Sequence, residues 1–268
     1  MIKAVLQFAV LVALFFGTWF ALGKVNWISI FQIKENTVSL EKKLGELIWK
    51  SYSQGEKEEH NPAVYCPIQQ VVRRICRDNG IDSDKIQLHV FIKDEINAFT
   101  LPDNHIVVFT GLVAASNNEA ELAGVIGHEM AHMEKNHVMK KMIKEVGLSV
   151  LISITAGKGG ETIKQLAKMA SSSAYDRDLE KEADITSIDY MLKANINPAP
   201  FADFLYRLAS DEAKLPSQVE WISTHPDSKE RANYILEYAK GKTSTPKPIL
   251  STAQWDILKT SVSKTGKH

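Results

Sequence analysis

Cysteine is nearly absent: two residues, Cys66 and Cys76, in a chain of 268. Two thiols supply neither a disulfide framework nor the cysteine-rich donor set of a structural zinc module. An excess of charge of either sign is missing too, since 32 Lys and Arg balance 32 Asp and Glu. Nothing in the overall charge therefore points to nucleic acid as a partner. Internal repeats are also absent, and 44% hydrophobic with 24% charged residues describes an ordinary globular chain. Its length suits one large domain with a small extension. Pro67 is expected to open a helix carrying Cys76 near its end, which excludes a bridge between the two thiols. Both are expected as small buried side chains.

Charge is missing locally as well. From Ala4 to Gly23 there is none, and Val10 to Phe16 is almost pure hydrocarbon. About 20 apolar residues span a bilayer as a helix, and Trp19 and Trp27 flank the exit as interfacial aromatics do. The expectation is an uncleaved single-pass anchor at 1–25. A cleaved signal peptide, with Ala21-Leu22-Gly23 as a weak processing site, competes with it but has a shorter apolar core of roughly 7–15 residues. Lys3 alone precedes the span, whereas Lys24, Lys34, Lys42 and Lys43 follow it. Read literally, that bias puts the remainder in the cytoplasm; the rule weakens before a long domain, and the extracytoplasmic face is favoured here.

Periodicity divides the rest. Val38, Leu40, Leu44, Leu47, Ile48 and Tyr52 recur at helical spacing within 36–55. The run Glu56-Lys57-Glu58-Glu59 reads as a solvated loop, and the helix from Pro67 to Arg77 stops at Asp78-Asn79-Gly80. The period then becomes that of strands in 87–92, 97–101 and 105–110, the last two joined by a tight turn at Pro102-Asp103-Asn104. Ser116-Asn117-Asn118-Glu119 has the form of a capping box opening the next helix. Further helices are expected over 139–154, 161–195 with a break near 171–173, 201–209 and 228–240, with 221–226 as a loop. The fold class is α+β and mainly helical, with a small β-sheet, over 26–240. Residues 241–268 read as a linker and short tail, with Trp255, Ile257 and Leu258 docking as a short helix.

Against that background stands His128-Glu129-Met130-Ala131-His132. Residues i and i+4 of a helix share a face, so both imidazoles reach one metal ion with Glu129 beside it. Zinc polarises a bound water, and a neighbouring carboxylate takes its proton as the water attacks a carbonyl. Glu129 is the expected base. A catalytic zinc needs three protein ligands and an open position. His137 is five residues past His132, about 140° round an ideal helix, and is expected as a packing or surface residue. In Arg177-Asp178-Leu179-Glu180-Lys181-Glu182-Ala183-Asp184, Glu180 and Asp184 share a face while Glu182 points roughly opposite. Glu180 then serves as third ligand, and Asp184 steadies a ligand histidine by accepting its other N–H. The competing reading of this stretch is a solvated acidic helix.

With these motifs the chain resembles the zinc metallopeptidase family that includes HtpX, BepA and the CAAX prenyl endopeptidases, within the gluzincins. Four stretches within residues 60–240 carry the resemblance: 97–102 with His105-Ile106, Glu121 through His132, Arg177 through Asp184, and Ser223-Thr224-His225-Pro226. It implies a zincin-like domain with one zinc ion per chain, ligated by His128, His132 and Glu180, with Glu129 as general base. It also implies an anchored or membrane-associated endopeptidase concerned with protein quality control. Two positions depart from the family pattern: Asp103-Asn104 replace two glycines, and Asp176 replaces a serine. Neither is a proposed ligand.

The resemblance also brings His225 near the zinc. There it stabilises the oxyanion of the tetrahedral intermediate, or fills the open coordination position and holds the enzyme latent; the plain alternative is a cap for the helix starting at Ser228. Asn97, Ala98 and Phe99 are expected at the cleft edge, where an extended substrate adds as a further strand. Such pairing reads little sequence and suits unfolded or misassembled polypeptides, with the helical section 139–175 covering the cleft as a filter. Two other classes compete: an anchored chaperone or assembly factor with a latent or regulatory zinc, and a zinc-stapled domain without activity. Intact His128, Glu129, His132 and Glu180 disfavour the first, and the absence of a cysteine near these motifs disfavours the second. One hydrophobic span cannot build an intramembrane chamber, which argues against prenyl processing.

Overall fold

The computed structural model describes residues 33–157, 159–172, 174–211, 220–242 and 245–265. The expected anchor at 1–25 lies outside the described residues. Among the described residues, no helix is long and apolar enough to cross a membrane. Contacts divide the chain into Met1–Leu40 and Glu41–His268. Of the first unit only the start of helix α1 (Ile33–Tyr52) is described, and Val38, named with the apolar stripe, is exposed there. Within the second unit α1 buries Leu44 and Ile48 completely.

Helix α2 (Pro62–Asn79) begins five residues earlier than expected. Asn61 caps it, accepting from the Ala63 N–H at 3.0 Å, and Pro62 occupies the first turn, where its missing N–H costs nothing. Pro67 therefore sits inside the helix rather than at its head. Within this helix Cys66 faces solvent, against expectation, while Cys76 is buried as expected. Gly80, at φ 69°, supplies the left-handed stop.

Strands β1 (Gln87–Phe91), β2 (Ala98–Leu101) and β3 (His105–Phe109) form one sheet in the order β1-β3-β2. β1 runs parallel to β3, with Gln87 opposite His105, and β2 runs antiparallel to β3, with Ala98 opposite Val108. Leu88, Val90, Ala98, Ile106 and Val108 join the main core. Residues of the other register, His89, Phe91, Phe99 and His105, meet Trp49 and Tyr52 of α1. Because both faces are covered, β2 and β3 are buried throughout. Asp103 and Asn104 turn β2 into β3 at φ 64° and 60°. Left-handed backbone of that kind explains the glycines of the family pattern, and Asp and Asn tolerate it best among other residues.

After the short α3 (Thr110–Ala115) comes α4 (Glu119–Glu134), the helix that carries His128 and His132. Its cap is Asn118, not Ser116. The Asn118 side chain accepts from Ala120 and Glu121, and Glu121 reaches back to the Asn117 N–H at 2.8 Å. The box has the spacing expected, displaced by two residues; the Ser116 hydroxyl turns instead to the Leu112 carbonyl.

The stretch 139–154 is two helices, α5 (His137–Val146) and α6 (Leu148–Thr155), broken at Gly147 where φ is 84°. Helix α7 (Gly160–Ser172) packs against β2, and α8 (Arg177–Lys193), the helix of Glu180 and Asp184, starts after a gap, so the long expected helix is indeed interrupted. Then follow α9 (Ala199–Asp211), α10 (Glu220–Thr224), a short helix where a loop was expected, and α11 (Ser228–Ala239). The last helix, α12 (Thr252–Thr265), packs on α2 and α3. Its Leu258 and Val262 belong to the main core, whereas Ile257 faces solvent. The result is an α+β zincin-like fold, with a small sheet beside a helical site.

Helix α4 is buried almost all round, and glycine lets its neighbours approach. A Cβ at Gly124 would lie 2.3 Å from Phe201 Cγ of α9, and one at Gly127 would lie 2.8 Å from Ser187 Oγ of α8. Ser187 uses that proximity to donate to the Gly124 carbonyl at 2.9 Å. On the sheet side, Thr100 donates to the Glu129 carbonyl at 3.3 Å. Gly124→Ala should therefore destabilise the protein by about 1–3 kcal/mol through overpacking, despite alanine's higher helix propensity. A urea melt checks this, and an unchanged midpoint would contradict the tight α4–α9 contact.

Candidate metal centre

Two helices and one loop build the centre. On α4 the four-residue spacing turns His128 and His132 the same way, their Nε2 atoms 3.0 Å apart. Helix α8 lies against α4 and brings Glu180 to the pair: Oε1 is 3.3 Å from His132 Nε2 and Oε2 is 3.5 Å from His128 Nε2. The loop after α10 adds His225, whose Nδ1 lies 2.9 Å from Glu180 Oε1 and 3.2 Å from His128 Nε2. One donor atom from each of these four residues falls within 4.8 Å of the others, and all four are buried. Nitrogen and oxygen donors in that number suit zinc.

The remaining ring nitrogens are also engaged. His128 Nδ1 meets Asp184 Oδ1 at 2.8 Å, and His132 Nδ1 meets His137 Nδ1 at 2.9 Å. His137 continues to Glu182 at 3.2 Å. His137 is thus a buried partner of His132. The ideal-helix angle did not apply to it, because the chain leaves α4 through a left-handed Asn136 at φ 55° before starting α5. His225 Nε2 points to Glu129 Oε1 at 3.3 Å, and the Trp221 indole donates to the same oxygen at 3.3 Å.

Arg231, unforeseen from sequence, organises the acids. Its guanidinium grips Asp184 with two hydrogen bonds of 2.8 Å and donates to the His225 carbonyl at 3.0 Å. It also lies 2.9 Å from Glu180 Oε2 as an ion pair. That contact falls outside hydrogen-bond geometry, so Glu180 Oε2, like Glu129 Oε2, is a buried atom without a hydrogen-bond partner. Tyr234 donates to Asp184 as well. A signal for Arg231 did exist: with Ser228, Ala232 and Ile235 it occupies the buried stripe of α11, an unusual place for a cation. Tyr175 was missed too. Its ring stacks on His132 with centroids 4.1 Å apart, and nothing in the local sequence distinguished it.

Charge explains what the centre can hold. Three carboxylates, Glu129, Glu180 and Asp184, are buried with one guanidinium, and the two orphaned oxygens belong to carboxylates. A divalent cation matches both the charge and the donors, so the residues present fit a single zinc ion. Burial would raise Asp184, but Arg231 and then His128 hold it well below the usual carboxylate range. Burial pushes Glu129 up to about 7 and His225 down to about 4. For His128, burial acts downward, yet the Asp184 and Glu180 charges outweigh it and raise the imidazolium to about 9.

A proton and a cation therefore compete for His128 below pH 9. Zinc binding to the stripped protein at neutral pH should release about one proton from His128, and affinity should climb with pH by about tenfold per unit. Calorimetry in buffers of different ionisation enthalpy reads both quantities. Affinity that stays flat between about pH 6 and 8 would overturn this account of His128.

Comparison with known proteins agrees with the geometry. The chain is 28% identical over 174 residues to the mitochondrial metalloendopeptidase OMA1 of Schizosaccharomyces pombe, covering 64% of this chain and 52% of that protein. It is 31% identical over 167 residues to the metalloprotease LoiP of Escherichia coli K12, covering 59% and 65%. With the beta-barrel assembly-enhancing protease of Yersinia pestis it shares 26% identity over 192 residues, covering 66% and 39%. It thus spans less than two thirds of the length of each of these relatives. Residues 65–239, which hold every donor described above, match Peptidase family M48, and the chain belongs to that family.

Proposed function

We propose that the chain is a zinc-dependent endopeptidase acting on unfolded or misassembled proteins. The observation that carries this reading is the convergence of His128, His132 and Glu180 beside a Glu129 carboxylate with one oxygen unpaired. Zinc held by those three residues would supply Lewis acidity, polarising the scissile carbonyl and easing deprotonation of water. Glu129 Oε2 takes the proton of the attacking water and passes it to the leaving amine. Burial that raises Glu129 to about 7 suits both transfers near neutral pH. Trp221 fixes the other Glu129 oxygen, and Asp184 and His137 set the orientation of His128 and His132.

Substrate is read as an added strand along β2. Asn97 Oδ1, at the head of that strand, is buried without a partner and offers an acceptor for a substrate N–H. In the conformation described, α7 packs against β2 and also touches α10, the helix that leads into His225. His128, Glu129 and His132 are wholly inaccessible and His225 is 1% exposed. The conformation is closed, and its latch is His225, which adds a fourth donor to the cluster while its other nitrogen faces the base. The uncharged stretch 4–23 supports a membrane anchor; the side proposed for the peptidase domain is the extracytoplasmic one.

In a casein assay, Glu129→Gln should lower cleavage by about 10²–10⁴-fold while keeping its zinc. A variant that still cleaves would rule Glu129 out as the base, and retained cellular function without cleavage would favour an assembly factor. His225→Ala should speed cleavage by exposing the centre. A slower His225→Ala enzyme would return His225 to the oxyanion role.

A further inference from the structure

Six buried side-chain polar atoms among the described residues lack a hydrogen-bond partner, and three of them belong to residues of the metal centre or stacked on it: Glu129 Oε2, Glu180 Oε2 and the hydroxyl of Tyr175, whose ring packs on His132. A cation satisfies carboxylate oxygens. It does not satisfy a hydroxyl hydrogen, which needs an acceptor, and leaving a buried donor unmet is costly. The Tyr175 ring is held firmly nonetheless. It stacks on His132 at an interplanar angle of 26° and lies beside His225, with centroids 5.8 Å apart. The Lys141 ammonium sits 4.2 Å from the ring centroid, and the Tyr175 N–H donates to the Thr224 carbonyl at 3.3 Å. A rigid ring against a proposed zinc ligand, ending in an unpaired donor, has the form of a preorganised hydrogen-bond site.

We propose that the Tyr175 hydroxyl is a catalytic hydrogen-bond donor that meets the scissile carbonyl oxygen as negative charge builds on it. The assignment rests on the endopeptidase reading above. As the water oxygen bonds to the carbonyl carbon, the C=O π pair moves onto the carbonyl oxygen and the water proton goes to Glu129. When that pair returns, the C–N bond breaks and the proton on Glu129 goes to the amine nitrogen. Tyr175 transfers no proton in either step; a phenol, with an ordinary pKa near about 10, is a neutral donor at physiological pH. With His225 as the latch, one nitrogen in the donor cluster and the other at Glu129, Tyr175 is the unpaired side-chain donor that remains beside His132.

The test is Tyr175→Phe in the full-length, zinc-loaded protein in detergent, since phenylalanine keeps the stacked ring and removes only the hydroxyl. Wild type, Tyr175→Phe and Glu129→Gln are compared for casein cleavage, zinc content, thermal midpoint and affinity for a peptidyl phosphonamidate, a tetrahedral anion. The expected kcat of Tyr175→Phe is about 10²-fold lower, with KM nearly unchanged and a comparable loss of phosphonamidate affinity. Zinc content and thermal midpoint should equal those of wild type, or the midpoint should rise as the unmet hydroxyl disappears. Unchanged kcat with unchanged phosphonamidate affinity overturns the assignment. So does a kcat loss accompanied by lost zinc or a lower midpoint, which marks a packing role. A wild type no more active than Glu129→Gln overturns the endopeptidase reading itself, and Tyr175 falls with it.

Discussion

Carboxylates do not collect in a dry interior unless something offsets their charge. Here Glu129, Glu180 and Asp184 lie around the same histidines, all of them buried, and Arg231 is the only guanidinium to face them among the described residues. Each buried ion costs several kcal/mol of lost hydration unless it is paired. Arg231 answers Asp184 with two hydrogen bonds and leaves a surplus of negative charge that suits a divalent cation. Folding and metal binding are therefore linked, and acid that protonates the donors opposes both.

Backbone approach sets the geometry within which those charges meet. Helices α4 and α8 come close because Gly127 presents no side chain and Ser187 presents a small one that hydrogen-bonds across the gap to the Gly124 carbonyl, while the bare Gly124 admits Phe201 of α9. From that contact Glu180 and Asp184 project onto the histidines of the facing helix. Thr100 anchors the other side of α4 to β2 through the Glu129 carbonyl, so the proposed substrate strand and the base share one connection.

Much of this was legible because it is local. The i, i+4 spacings of His128 with His132 and of Glu180 with Asp184 are properties of single helices, and the change of period near residue 87 marked the sheet. What escaped depends on long-range contact or on exact helix boundaries. Arg231 reaches Asp184 across 47 positions, a contact that no local pattern announces. His137 was placed on an ideal helix that in fact ends before it. Pro67 resembled a helix start because proline favours that position, but Asn61 and Pro62 claimed it first. Cys66 lies on the exposed side of α2, where the general burial tendency of free cysteine misleads. The unpaired hydroxyl of Tyr175 has no signature in one dimension at all.

The Tyr175 N–H bond to Thr224 ties the loop before α8 to the segment carrying His225, and α7 touches both β2 and α10. Edge strand, His225 and tyrosine are thus joined in one arrangement, and on the proposed reading, with His225 as latch, its opening is an equilibrium. Turnover on that reading would be the intrinsic rate multiplied by the open fraction, and about 1.4 kcal/mol in that equilibrium would be a factor of ten in output. Side chains of α7 that never touch a substrate become determinants of rate. A partner that binds the open form better than the closed one acts as an activator without approaching the metal, and by the same linkage substrate strengthens that partner's hold.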